Sequence, residues 1–425
     1  MKQGMWFPFE LENNIKERFW YPDADPTLGK RLFFDNAGGS LRLKTCVEAK
    51  AEYEYFPDCP ERTHRRGVML KEVVNRGTKE ILEIVFGAKE GALITELTAS
   101  QTMFHMVELV MENIPGTNAV VSCLEHPSAF DAVDYFCRKT GKELRVVPAN
   151  PKTGQIEPET VAEFVDENTC LVSIMAASNV TGAIMDIEKI VKLVRNKKPD
   201  LYVICDGVQH APHGKMDVSA SGVDGMNFAP YKCFGVRGCG FAYVSDRLAK
   251  LPHRKLIKKD KTVFELGTPS PGNFAATMEM INYVCEIGSY SKKEADKKEQ
   301  FREGMNRIHL KEQALLHRLL EGTEDIPGLR HIPGVTVFAD GLELSDRDLI
   351  VAMGIDGLEP QDAVKAYEAK GVIVCDRLIT SMYAKRSMEA LNLSGCLRIS
   401  PMHCHGKEDI DAFLKVTQEI AKDRA

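Results

Sequence analysis

Two residues in the middle of the chain suit covalent cofactor chemistry. Asp206 follows a short apolar run, Leu201 to Cys205, and Lys232 stands on a glycine-punctuated loop before a second run, Phe241 to Val244. An acid at the carboxyl end of a buried strand can hold a heterocyclic nitrogen protonated. A loop amine folded back towards it can form a Schiff base with an aldehyde. Those are the two protein groups that pyridoxal phosphate needs to act as an electron sink. A strand-end Asp and a loop Lys are also commonplace apart from any cofactor, so the neighbouring strand ends must carry the argument.

They carry a coherent set. Thr98-Ala99-Ser100 stands where a helix should begin, with hydroxyls and backbone amides directed at one point. That arrangement binds a phosphate, although an ordinary N-cap has the same look. Glu125-His126-Pro127 puts an imidazole after the run Ala119 to Cys123, where the ring could stack on a planar group or serve structure alone. Ser178-Asn179 supplies an amide after Leu171 to Ala176, and Gln209 a second one just past Asp206. Upstream, FFDNAGGS (Phe33 to Ser40) is a small-residue turn whose backbone could approach a ligand closely.

The elements that must position these groups read as strand–helix alternation. Strands are predicted at Ala92–Thr95, Ala119–Cys123, Leu144–Val147, Leu171–Ala176, Leu201–Cys205 and Phe241–Val244, with helices over 67–86, 100–113 and 128–139. Val/Ile/Leu-rich strands alternating with helices imply an α/β fold, a mostly parallel sheet covered on both faces, with ligands at its carboxyl edge. The pattern divides the chain into an N-terminal arm (1–32), a large cofactor-binding domain (33–287) and a smaller α+β C-terminal domain (288–425). Ser291 to Leu320 reads as an exposed, charged helix between the lobes. Strand-like 335–338, 372–374 and 397–400 and helices over 361–370 and 407–422 follow.

With 425 residues, 44% hydrophobic content and a net charge of −6, the chain can bury two cores and offers no basic surface for nucleic acid. No apolar run approaches membrane-spanning length, and MKQGMWFPFELENN lacks a signal peptide's apolar core. Twelve cysteines without any CxxC pair point to reduced thiols in the cytoplasm. His403-Cys404-His405, read as strand, would leave only two imidazoles on one face, so no metal is expected there.

The constellation Asp206-Gly207-Val208-Gln209 … Met216-Asp217-Val218 … Lys232-Cys233-Phe234-Gly235-Val236-Arg237-Gly238-Cys239-Gly240 resembles a known signature. It is the D-x-x-Q … D-V … K-x-x-G-x-x-G-x-G pattern of class V, fold-type I pyridoxal-phosphate enzymes, the group of cysteine desulfurases, selenocysteine lyases and isopenicillin-N-epimerase-like proteins. Asp35-Asn36-Ala37, Glu125-His126, Ser178-Asn179-Val180-Thr181-Gly182, Phe264-Glu265-Leu266-Gly267-Thr268-Pro269 and Leu397-Arg398-Ile399-Ser400 match further family segments in order. The resemblance implies that Lys232 is the Schiff-base lysine and later the proton-transfer base. Asp206 would pair with the ring nitrogen, Asn179 and Gln209 would bond the ring hydroxyl, and His126 would stack on the ring. Thr98, Ala99 and Ser100 would hold the phosphate, with Tyr231 beside them. Thr268 would reach the phosphate of a neighbouring subunit, which implies a homodimer. Arg398 would clamp a substrate α-carboxylate, with Asn36 and Ala37 nearby. His64 and Arg65 resemble a segment that approaches the site.

Three positions depart from the pattern. Ala229 stands where a phosphate-bonding serine is usual, leaving that role to His210 or Arg237 or to nothing. Tyr231 replaces the histidine that desulfurases carry before the lysine. The loop after Val372-Ile373-Val374 reads CDRLITSMYAKRS, so its one cysteine, Cys375, sits at the strand end and not on the flexible segment that carries a desulfurase nucleophile. The expected activity is therefore removal of the Cα proton of an α-amino acid, followed by transamination or a β-elimination of the carbon–sulfur type without a catalytic cysteine. Epimerisation is the alternative, and a non-catalytic scaffold that keeps the fold is a further one.

Overall fold

The computed structural model describes residues 4–423. Its centre is a seven-stranded sheet: β1 (Ala92–Glu96), β2 (Asn118–Ser122), β3 (Glu143–Val147), β4 (Thr169–Met175), β5 (Tyr202–Asp206), β6 (Gly225–Phe228) and β7 (Gly240–Val244). The order is β1-β7-β6-β5-β4-β2-β3. Strands β3, β2, β4, β5 and β6 pair in parallel, and β7 runs antiparallel to both β6 and β1. This is the mostly parallel α/β sheet that the alternation predicts. Strands β2, β4 and β5 are buried along their whole length, because helices cover both faces and no strand needs a polar side. One strand of this sheet escapes the sequence pattern, as do Val351–Ile355 and Cys375–Leu378 nearer the C-terminus, the latter expected as loop. Strand β6 reads Gly-Met-Asn-Phe, too short and too polar at Asn227 to register as an apolar run.

Helices α1 (Ala99–Asn113) and α2 (Pro127–Thr140) leave the carboxyl ends of β1 and β2 directly, so their N-termini open on one edge of the sheet. Thr98 caps α1 by accepting from the Gln101 N–H at 3.2 Å, and His126 caps α2 by accepting from the Ser128 N–H at 3.1 Å. Towards the C-terminus, β8 (Val335–Val337), β9 (Val351–Ile355), β10 (Cys375–Leu378) and β11 (Gly395–Ile399) make an antiparallel sheet ordered β8-β9-β11-β10. Leu32–Phe33 pairs in parallel with Val372–Ile373 as a separate two-stranded sheet just ahead of β10.

The long charged helix, α3 (Lys297–Glu321), is not the exposed element that its charge run suggests. Phe301, Met305 and Ile308 join the core beneath the large sheet, and Leu315, Leu316, Leu319 and Leu320 join the core of the small one. Even its charges turn inward. Lys311 is fully buried against Glu12 and lies over the Trp6 ring, and buried Glu312 pairs with His213 at 2.7 Å. Charged residues at the buried positions conceal the apolar stripe from a reading of periodicity; paired, they tolerate burial. The N-terminal segment follows the same logic, with Phe7, Leu11, Ile15 and Phe19 in the large core, Trp6 against the small one and Lys16 paired with Asp409 at 2.9 Å. Met1 to Gln3 of the expected arm lie outside the described residues, as do the last two residues of the expected C-terminal domain.

His403 and Cys404 lie in a turn beyond β11, not on a strand. Each flanking imidazole has one nitrogen in a structural hydrogen bond: His403 Nε2 meets the Tyr283 hydroxyl at 2.7 Å, and His405 Nδ1 accepts from the Met402 N–H at 3.0 Å.

Candidate active site

The carboxyl ends of β1, β2, β4, β5 and β6 converge on a cavity of about 210 Å³. Its wall includes Thr98, Ala99, Ser100, His126, Asn179, Asp206, Gln209, Tyr231 and Lys232, so nine positions singled out in the sequence, far apart in the chain, meet at one place. Ala229 and Arg237 line it as well.

Lys232 stands on the turn after β6 and aims its amine into the cavity, where Nζ donates to Gln209 Oε1 at 3.4 Å. Burial and the nearby Arg398 guanidinium push its pKa down from 10.5 to about 8, against the pull of Asp206. Asp206, at the end of β5, is buried, and loss of hydration raises its pKa, while the Val208 N–H bonds its Oδ1 at 3.1 Å. Directly behind it, Glu125 accepts from the Ser122 hydroxyl at 2.6 Å and the Met175 N–H at 2.8 Å. Burial lifts Glu125 to about 8, so it stands protonated at neutral pH and spares Asp206 a second adjacent charge. His126 is pushed down to about 4 by burial and by Lys232, Arg377 and Arg386, which keeps the ring neutral.

The residues present fit pyridoxal phosphate. Gln209 Nε2 is buried on the cavity wall without an acceptor, a donor that a ring hydroxyl would satisfy. The Asp206 carboxylate faces the same space and suits a protonated ring nitrogen. Gly240 lets β7 pass tightly under the start of α1, since a Cβ there would collide with the Ala99 nitrogen and the Thr98 carbonyl carbon. Asn227 braces the same turn, donating to the Ala99 carbonyl at 3.0 Å and accepting from the Gly207 N–H at 3.2 Å. Beside Ala229, Arg237 lines the cavity and lies 4.2 Å over the Tyr231 ring, whereas His210 turns away to meet Asp348 at 3.1 Å.

The remaining sequence candidates lie around this cavity. Arg398 on β11 donates to Asp35 Oδ1 at 2.7 Å and to the Asn179 carbonyl at 3.1 Å. Asn36 is buried with its amide committed to the Phe33 and Ser400 carbonyls and to the Leu41 N–H, and Ala37 N–H bonds the Ser400 hydroxyl. The pair brace the turn beneath Arg398. Thr268 is exposed and no part of this chain's cavity wall. His64 caps the exposed start of the helix Arg65–Glu80, and neither it nor Arg65 reaches the cavity. Cys375 opposes Arg398 across the β10–β11 pair; burial raises its thiol pKa, and Sγ contacts the Asp376 carbonyl. Asn227, Arg377 and Tyr383 escape the sequence reading, and Glu125 figures there only as the neighbour of His126, since each acts through neighbours that only the fold supplies.

Order, direction and strand-end placement are those of a fold-type I pyridoxal-phosphate enzyme. A family model described as aminotransferase class-V matches residues 32–413, and the chain belongs to that family of pyridoxal-phosphate-dependent transaminases and lyases. The chain is 27% identical over 323 residues to a probable cysteine desulfurase of Mycobacterium leprae, covering 72% of this chain and 48% of that protein. It is 29% identical over 230 residues to a cysteine desulfurase of Shigella sonnei, covering 50% and 52%. The chain thus spans about half the length of the curated relatives it matches. Among solved structures, the apo cysteine desulfurase of Thermococcus onnurineus superposes with a TM-score of 0.77 at 22% identity, covering 92% of this chain and 95% of that one. A cysteine desulfurase of Escherichia coli gives 0.76 at 17%, covering 97% and 98%.

Proposed function

We propose that this chain is a pyridoxal-phosphate enzyme that removes the Cα proton of an α-amino acid and continues by transamination or by β-elimination without a cysteine nucleophile. The observation that carries the reading is the amine of Lys232, poised near pH 8 in a cavity it shares with the buried acid Asp206. When bound, the cofactor supplies the electron sink that makes a Cα proton acidic. Everything else falls to the chain. Thr98, Ala99 and Ser100 anchor the phosphate at the start of α1. Asp206 would keep the ring nitrogen protonated, Asn179 and Gln209 would hold the ring hydroxyl, and His126 would stack its neutral ring on the cofactor. Arg398 orients the substrate carboxylate, and Lys232 takes the proton.

The names of the relatives favour carbon–sulfur chemistry, but the cysteine route fits this chain poorly. Cys375 sits on strand β10 with a raised thiol pKa, so it lacks both reach and thiolate character. Epimerisation would need a proton donor on the ring face opposite Lys232. His126, which would stack on that face, has Nδ1 tied to Ser128 and is not charged above about pH 4, which supports elimination or transamination first.

Thr268 lies on an exposed segment with Leu266, itself 55% exposed, which supports a homodimer in which each Thr268 completes the neighbouring phosphate site. All twelve cysteines stand unpaired, which supports a reducing compartment, the cytoplasm. No helix among the described residues is long and apolar enough to cross a membrane. A screen of amino acids for release of pyruvate, of the cognate 2-oxo acid, or of the opposite enantiomer tests the reaction. Either of the first two is the expected result, and turnover to the enantiomer alone would contradict it.

A further inference from the structure

The small sheet carries two guanidinium groups beside residues of the cavity wall, and only one of them has an anionic partner. Cys375 on β10 is register partner to Arg398 on β11, and Arg377 lies two residues further along β10. Cross-strand partners share a face, and so do residues i and i+2, so Arg377 and Arg398 project from the same side of this sheet as diagonal neighbours. Arg398 meets the cavity wall through the Asn179 carbonyl. Arg377 meets it through Tyr383: Nη2 donates to the Tyr383 carbonyl at 2.9 Å, and the Tyr383 ring stacks on His126 with centroids 6.3 Å apart.

Their partners differ. Arg398 has the Asp35 carboxylate at 2.7 Å. Arg377 has no carboxylate within salt-bridge distance among the described residues, and its buried Nε has no acceptor. Arg377 is half-buried, and its enclosed Nε together with the single carbonyl at Nη2 leaves the guanidinium with spare donors for an anion. Its charge is felt inside the site, where it helps to depress both Lys232 and His126.

We infer that Arg377 is a specificity-determining residue that binds an anionic group on the substrate's side chain, so that the enzyme's substrate is an acidic amino acid with a second carboxylate or equivalent oxyanion. Arg398 then holds the α-carboxylate and Arg377 the side-chain anion. The planar donor fork of each guanidinium matches an oxyanion with two parallel hydrogen bonds, a task for which an amide or thiol side chain offers no equivalent partner. The inference rests on the amino-acid reading proposed above.

The test is titration of the holoenzyme with L-aspartate and L-glutamate against their neutral isosteres L-asparagine and L-glutamine, reading dissociation constants from the cofactor's absorbance, with turnover measured alongside. The acids should bind about ten-fold or more tightly than the amides, the effect of one charge-assisted bidentate contact. In Arg377→Gln the ratio of acid to amide affinity should fall to about one, and Arg377→Lys should restore part of it. Equal binding of acids and amides by the native enzyme, or a preference that survives Arg377→Gln, overturns the assignment of Arg377 and leaves the amino-acid reading intact. A holoenzyme that binds none of the four and turns over no other amino acid overturns both.

Discussion

Asn227 hydrogen-bonds the Ala99 carbonyl at 3.0 Å, joining the centre of the sheet to the turn at the start of α1. Its other amide atom accepts from Gly207, next to Asp206, so one buried side chain holds the proposed phosphate and ring-nitrogen ends of the site in register. Asn227→Ala leaves the Ala99 carbonyl and the Gly207 N–H without their partner, at a cost of about 1–3 kcal/mol. The cofactor dissociation constant should rise about ten-fold, measured by equilibrium dialysis. Gly240→Ala pushes on the same turn from below and should lower stability by about 1–3 kcal/mol in urea unfolding, together with cofactor affinity.

The amine of Lys232 is easier to deprotonate in the folded chain, near pH 8, than in the unfolded chain, near 10.5. Below pH 8 the folded state bears the full cost of burying the ammonium; that cost is relieved as pH rises from 8 to 10.5, so this group makes stability increase with pH across that window. Lys232→Met removes the cost. In the cofactor-free protein it should raise Tm by a few degrees at pH 7, with the gain shrinking between pH 8 and 10.5. A gain independent of pH would show that the amine is not the cause.

His213 behaves in the opposite sense. Although burial alone would depress it, Glu312 at 2.7 Å and the nearby Asp348 lift it to about 9. Its folded pKa exceeds the unfolded 6.5, so its contribution is complete below pH 6.5 and is lost as pH rises through 9. Because α3 carries Glu312 between both cores, Glu312→Ala should cost about 3–5 kcal/mol in urea unfolding at pH 6, and less at pH 9.5.

The sheet and the cavity wall were legible in the sequence because each rests on a local pattern: Val/Ile/Leu runs for the strands, and a polar or hydroxyl residue immediately after each run. Asp206, Gln209 and Asn179 are read that way, and Lys232 from the glycine-punctuated loop that precedes the run Phe241 to Val244. What escaped depends on register or on pairing. Strand β6 hides because Asn227 interrupts its apolar pattern, and Asn227 is polar because it bridges two turns from the core. Helix α3 looks solvated because Lys311 and Glu312 occupy buried positions, which is possible only with Glu12 and His213 beside them. Arg377 reads as one more charge in CDRLITSMYAKRS until the pairing of β10 with β11 sets it beside Arg398.

The central claim is that Lys232 is the covalent attachment point for pyridoxal phosphate, and the absorbance spectrum of the purified protein tests it most directly. The native protein, incubated with the cofactor and freed of excess, should show a band near about 420 nm that borohydride reduction fixes onto a peptide containing Lys232, and Lys232→Ala should lack it. A protein that remains colourless with added cofactor, or a band that persists in Lys232→Ala with the label on another lysine, would contradict the account.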